Sequence, residues 1–164
     1  MKIDYDKIKD QLNNIITENT VFVCIGTDKV EFDMFGPLCG TELKNNKIPY
    51  YGDMKDTLNG LNIEEKIRNI YKVDKIDNCN IIAIDAAVTK NKDKINKIEV
   101  RENISVKPGS GMGKNHNLKI GQHSIVMYTI TKDDLYKEYD KKNVKIMKKN
   151  VKNLCEIIKD VYKK

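Results

Sequence analysis

Two short apolar runs constrain the fold of this chain more than any other feature. Val21-Phe22-Val23-Cys24-Ile25 and Ile81-Ile82-Ala83-Ile84 have strand length and no polar alternation, the pattern of strands covered on both faces. Each leads into an aspartate among small residues, Gly26-Thr27-Asp28 after the first and Asp85-Ala86-Ala87 after the second. Strands buried on both faces need helices above and below the sheet, so the remaining segments have to supply them.

They do so in order. Ile8, Leu12, Ile15 and Ile16 recur at helical spacing within residues 4–18, with Asp4 as N-cap. A second helix is predicted from Gly36 to Lys44, with Pro37 in its first turn, where a missing N–H costs nothing, and with Leu38, Cys39 and Leu43 inward. Ile48 to Gly52 reads as a short strand near an edge because it contains Pro49. Asn62 is placed to cap a third helix, with Glu65 as its capping-box partner and Ile63, Ile67, Ile70 and Tyr71 as its buried stripe. Residues 95–107 alternate weakly, as antiparallel or edge strands do, and Ile120 to Ile130 contains a further strand that begins near His123. Val144, Met147, Val151, Leu154, Ile158 and Val161 mark a long amphipathic terminal helix. The alternation predicts one α/β domain over residues 1–164, a three-layer α/β/α sandwich with a mostly parallel central sheet.

Composition narrows the function classes. A chain of 164 residues with 40% hydrophobic and 33% charged residues has the balance of a globular protein with a wet surface. Residues 132–164 hold eleven lysines against six acids, which is +5 of the net charge of +6. Arg68 and Arg101 are the only arginines, and no aromatic residues interleave with the basic ones in a stacking pattern. The terminal stretch therefore reads as a solvated helix face, which argues against a nucleic-acid partner. Cys24, Cys39, Cys79 and Cys155 show no metal-type spacing and read as buried free thiols of a reducing compartment. The amino terminus lacks a signal-peptide pattern and no apolar run is long enough to span a bilayer, so a cytoplasmic location without a membrane partner is expected.

Three features carry candidate chemistry. The first is the carboxylate set Asp28, Asp33 and Asp85: Asp28 follows one buried strand and Asp85 ends another, and in a parallel sheet such strand ends share one edge. Carboxylates brought together shift one pKa upward and yield an acid and a base for water activation, or they share a metal. For Asp28 and Asp33 the competing role is to cap turns or the helix at Pro37. Pro108-Gly109-Ser110-Gly111-Met112-Gly113-Lys114 is a glycine-rich loop able to form an anion nest. It lacks P-loop spacing and reads rather as an active-site lid or turn. His116 lies in a polar stretch and reads as exposed; His123, at a strand start, is open to a structural, acid/base or ligand role.

Taken together and in order, Val23 to Asp28, Asp33-Met34-Phe35-Gly36-Pro37-Leu38, Tyr51-Gly52, Leu61 to Glu65, Ile82-Ala83-Ile84-Asp85-Ala86 and the loop at 108–114 resemble the YyaC family of sporulation proteins. That family is similar to the germination protease that degrades small acid-soluble spore proteins. The resemblance covers roughly residues 20–130. It implies a fold of the hydrogenase-maturation-protease (phosphorylase/hydrolase-like) type. It also implies an acidic peptidase site in which Asp33 and Asp85 occupy the places of two essential aspartates, with Asp28 as neighbour. By the same resemblance Gly109, Ser110, Gly111, Gly113 and Lys114 form the substrate or oxyanion loop. A nickel or zinc ion at Asp33, Asp85 and His123 is the metal option it carries. The implied partner is a protein or peptide substrate, small spore proteins among them, in a sporulating cell or forespore, with room for a homo-oligomer. The alternative is a non-catalytic sporulation protein that keeps the protease-like fold as a binding or assembly module. Lys29-Val30-Glu31-Phe32 is bulkier than the corresponding loop of the family, and Phe32 and Phe35 would narrow the site.

Overall fold

The computed structural model describes residues 2–108 and 118–163. In chain order the elements are α1 (Tyr5–Ile15), β1 (Thr20–Cys24), α2 (Phe35–Asn45), β2 (Tyr50–Tyr51), α3 (Ile63–Val73), β3 (Asn80–Thr89), β4 (Ile98–Arg101), β5 (His123–Thr131) and α4 (Lys141–Tyr162). A short 3₁₀ turn, Glu31–Asp33, precedes α2. The sheet has the order β2-β1-β3-β5-β4. Four strands run parallel, and β4 pairs antiparallel with β5 at one edge. Proline 49 sits beside β2 at the other edge, as expected, and its carbonyl accepts from the Phe22 N–H at 3.1 Å.

The two sheet faces are covered unequally. On one face α1, α2 and α4 enclose a core that includes Leu12, Phe22, Phe35, Leu43, Ile82, Ile84, Ile125, Met127, Met147 and Leu154. On the other face α3 brings Ile63 and Ile67 against Val23, Ile81, Ala83 and Val126, and Leu58, Val106 and Ile120 complete that cluster. β1, β3 and β5 contribute to both clusters, which accounts for their unalternated sequences. Cys24, Cys39 and Cys155 are free and buried in the first cluster, and Cys79 is free and partly buried.

Side chains cap the starts of α1 and α4, whereas α2, entered from Met34, and α3 have no side-chain cap. Asp4 caps α1 by accepting from the Lys7 N–H at 3.1 Å, and Asp140 caps α4 through the Lys142 N–H at 2.9 Å. Asn62 stands at the N-cap of α3 but makes no side-chain cap. Its amide instead turns back, accepting from the Asn59 N–H at 2.9 Å and donating to the Thr57 carbonyl at 3.1 Å. The preceding turn has claimed the side chain that a capping box would use.

Candidate active site

The site begins where β1 stops. Ile25 continues only as an isolated bridge to Leu58; its N–H donates to the Ile84 carbonyl at 2.8 Å, and the Gly26 N–H donates to the Leu58 carbonyl at 2.9 Å. Gly26 has φ +149°, and a side chain there would collide with the Asp33 carbonyl and stand 2.7 Å from Pro37 Cδ. A side chain on Gly36 would strike the backbone of Ile25 in turn. Two glycines thus let the start of α2 rest directly on the end of β1, and this contact carries Glu31–Asp33 over the carboxyl edge of the sheet.

Backbone bonds hold Asp33 in that place. Its N–H donates to the Val30 carbonyl and its carbonyl accepts from the Thr27 N–H, both at 3.0 Å. A third restraint comes from β5. The β3–β5 register runs from Ile82↔His123 to Ala87↔Tyr128 and then shifts to Val88↔Ile130, so Thr129 is an extra residue in β5. Such a bulge re-aims a side chain beside a strand. The Thr129 hydroxyl donates to the Phe32 carbonyl at 2.6 Å, and the Thr129 carbonyl accepts from the Tyr139 hydroxyl at 2.8 Å. Phe32 packs edge-on against Tyr139, with ring centroids 6.1 Å apart.

Asp85 does not end its strand. β3 runs four residues further, to Thr89, whereas β1 reaches only the level of Ile84. The overhang opens a cleft of about 510 Å³ lined by Gly26, Thr27, Asp33, Asp85, Arg101 and Thr129 among others. Asp85 lies on the α3 side of the sheet in register with Val126 and is only 8% exposed. Burial pushes its carboxyl well above the usual carboxylate range, and the charge of Asp33 pushes in the same direction; the Ala86 N–H and the Arg101 guanidinium oppose them. Arg101 is itself fixed, its Nε donating to Glu99 at 2.9 Å and its guanidinium to the Tyr128 hydroxyl at 3.0 Å, while that hydroxyl donates to the second Glu99 oxygen at 2.9 Å. Burial and the nearby charge of Asp33 thus favour the protonated form of Asp85 at the cleft.

The structure brings Asp33 and Asp85 to one cleft and leaves the other candidates elsewhere. Asp28 is exposed in the bend after β1 and does not line the cleft; the turn there is made by Thr27, whose hydroxyl accepts from the Lys29 N–H at 3.2 Å. His123 pairs with Ile82, three residues before the level of Asp85, or roughly 10 Å back along the sheet. Its Nδ1 accepts from the Asn103 N–H at 2.9 Å. Among the described residues no three His, Cys, Asp or Glu side chains stand together as metal ligands. The described donors therefore do not make the three-ligand set of a nickel or zinc site. Phe32 lines the cleft, but Phe35 is wholly buried in the core and narrows nothing. Gly109, Ser110, Gly111, Gly113 and Lys114, like His116, lie outside the described residues; Pro108, just before them, lines the cleft. Thr129, Tyr128 and Arg101 are additions that strand patterning passes over. An arginine in an edge strand of a chain with only two was the one available signal.

The sheet order, with its crevice above the carboxyl ends of β1 and β3, defines an α/β protein with a switch-point site. The fold is that of the hydrogenase maturation protease HycI from Thermococcus kodakarensis KOD1, a [NiFe] enzyme's maturation protease. The TM-score is 0.55 at 14% identity, covering 93% of this chain and 99% of that one. The chain belongs to the family described as "Protein of unknown function (DUF1256)", which residues 2–161 match. It is 35% identical over 97 residues to the uncharacterized protein YyaC of Bacillus subtilis (strain 168), a match spanning 57% of this chain and 45% of that protein. The aligned part thus spans about half the length of that curated relative. The expected kinship with YyaC proteins and the expected fold both hold.

Proposed function

We propose that this protein is a peptidase of sporulating or germinating cells that hydrolyses peptide bonds with the Asp33–Asp85 pair. The observation that carries the reading is the raised Asp85 carboxyl beside Asp33 in an open cleft. A buried carboxyl raised by burial and by a like charge nearby, at a switch point, is the pattern of an acid/base site. In the proposed reaction the pair enters with one proton. The ionised carboxylate takes a proton from water as its oxygen attacks the peptide carbonyl. The protonated carboxyl donates to the carbonyl oxygen, giving a gem-diol. The C–N bond then breaks as the leaving nitrogen receives a proton from the pair and one hydroxyl of the diol returns a proton to it, leaving an acid, an amine and the pair with its one proton. No metal is needed for the protons to balance. The likeness in fold to a hydrogenase maturation protease and the kinship with YyaC support this reading.

The test is digestion of a peptide library and of small spore proteins by the wild-type chain and by Asp33→Asn and Asp85→Asn. Each variant is expected to lose at least 10²-fold in rate, the range typical of removing an acid or base. Cleavage unchanged in both variants would rule out the pair. No turnover by the wild type, with a specific partner recovered from sporulating cells, would favour the binding-module alternative.

A further inference from the structure

We infer that the cleft takes its guest as an added β-strand: an extended, acidic peptide segment lying beside Ala86–Val88 in the lane that β1 vacates. The inference deepens the peptidase reading and rests on it for the nature of the guest.

The lane follows from unequal strand lengths. At Ile25, the chain is flanked by Leu58 on one side and Ile84 on the other. Above Gly26 the central chain turns away toward α2, so the gap spans about two strand spacings, roughly 10 Å, the width that one extended chain fills. One wall is Ala86, Ala87 and Val88 of β3; the other is Asn59, Gly60 and Leu61.

The β3 wall has main-chain groups to offer. The Ile84 carbonyl faces β1, where it accepts from Ile25. Peptide groups alternate sides along a strand, so the carbonyl of Ala86, whose N–H is engaged by the Asp85 carboxyl, and both groups of Val88 face the same lane. No β1 residue pairs with them, and among the described residues no loop bond reaches the Val88 N–H or carbonyl. Residues 86–88 are also partly exposed, unlike the buried stretch before them. Unpaired strand groups at a cleft are what peptides use when they bind by strand addition.

Side chains at the rim indicate the guest's chemistry. Leu61 is 97% exposed and Val30 38% exposed, and both line the cleft, offering apolar contact to alternate side chains of the guest. Lys29 and Lys107 are exposed liners without a salt-bridge partner among the described residues, whereas the Arg101 charge is already met by Glu99 at 2.9 Å. The two lysines stand exposed at the rim, whereas Asp33 is half-buried and Asp85 is buried with its charge disfavoured by that burial, so a segment bearing carboxylates is favoured.

The probe is an acetylated, amidated dodecapeptide alternating Glu with Val and Thr, and its Lys-for-Glu counterpart, each titrated into the Asp85→Asn protein. The acidic peptide is expected to bind at least tenfold tighter than the basic one and to slow amide exchange at Val88 tenfold or more. Methylating successive peptide nitrogens is expected to weaken binding at every second position. Lys29→Glu with Lys107→Glu is expected to remove the charge preference without unfolding the chain, and circular dichroism checks the folding. Binding without Val88 protection, a uniform response to N-methylation, a preference for the basic peptide, or no binding at all would each overturn the inference. Strand addition without turnover by the wild type would sink the peptidase reading alone; turnover without Val88 protection would sink this inference alone.

Discussion

The clearest consequence at the scale of single residues concerns the proton on Asp85. Its folded-state pKa is raised by burial and by Asp33. Between the ordinary carboxylate value, about 3.9, and that raised value, the folded chain binds a proton that the unfolded chain releases. Stability therefore falls as pH rises through this window. The penalty is fully present above the folded pKa and absent below the unfolded one. Asp85→Asn keeps the shape and removes the ionisation. It is expected to be more stable than the wild type at neutral pH, by on the order of 1–2 kcal/mol or roughly 2–8 °C, with the gain shrinking to nothing near pH 4. Thermal melts across a pH series measure this, and a gain independent of pH would show that the cost at this position is not one of charge.

Among the elements, the bulge in β5 decides how well Asp33 is held. Thr129→Val keeps the volume and deletes the hydroxyl that donates to the Phe32 carbonyl. The expected cost is about 1 kcal/mol of stability, with a proportionally larger loss of peptide cleavage because the Glu31–Asp33 turn is freed. Thr129→Ser should restore cleavage, and equal rates for the Val and Ser variants would mean the hydroxyl does not position the turn. Nothing in the sequence announces the bulge, because threonine is an ordinary strand residue and an extra one leaves no mark on apolar patterning. The same limit hid the overhang of β3: Ala86-Ala87 after an aspartate resembles a strand end, although pairing with β5 carries the strand on to Thr89. Where burial alone sets the pattern, reading was straightforward. Ile8, Leu12 and Ile15 of α1 and Met147, Val151 and Leu154 of α4 are buried as their spacing requires. The shared carboxyl edge of parallel strands made Asp28 and Asp85 legible as partners, and only the family resemblance put Asp33 in the place of Asp28. The turn that takes Asp28 away from the cleft and the register that holds His123 back from it are not encoded in composition.

For the molecule as a whole, two apolar clusters of unequal size lie on opposite faces of one sheet and share β1, β3 and β5. Unfolding one cluster strips the strands that the other rests on. A single calorimetric transition is expected, with equal calorimetric and van't Hoff enthalpies; two separated transitions would mean that the α3 face unfolds on its own. Among the described residues no helix is long and apolar enough to cross a membrane.

The overhang of β3 also bears on selectivity of assembly. An unpaired strand is usually found at a sheet's outer margin, where another molecule's sheet can dock along it and aggregation begins. Here the unpaired stretch is interior, recessed between β5 and the Asn59–Leu61 wall, with both outer margins of the sheet occupied by short strands, β2 and β4. A folded sheet cannot reach it. On the proposed strand addition, a guest has to arrive as a single unfolded chain, so its state of folding would select it before any side chain is read.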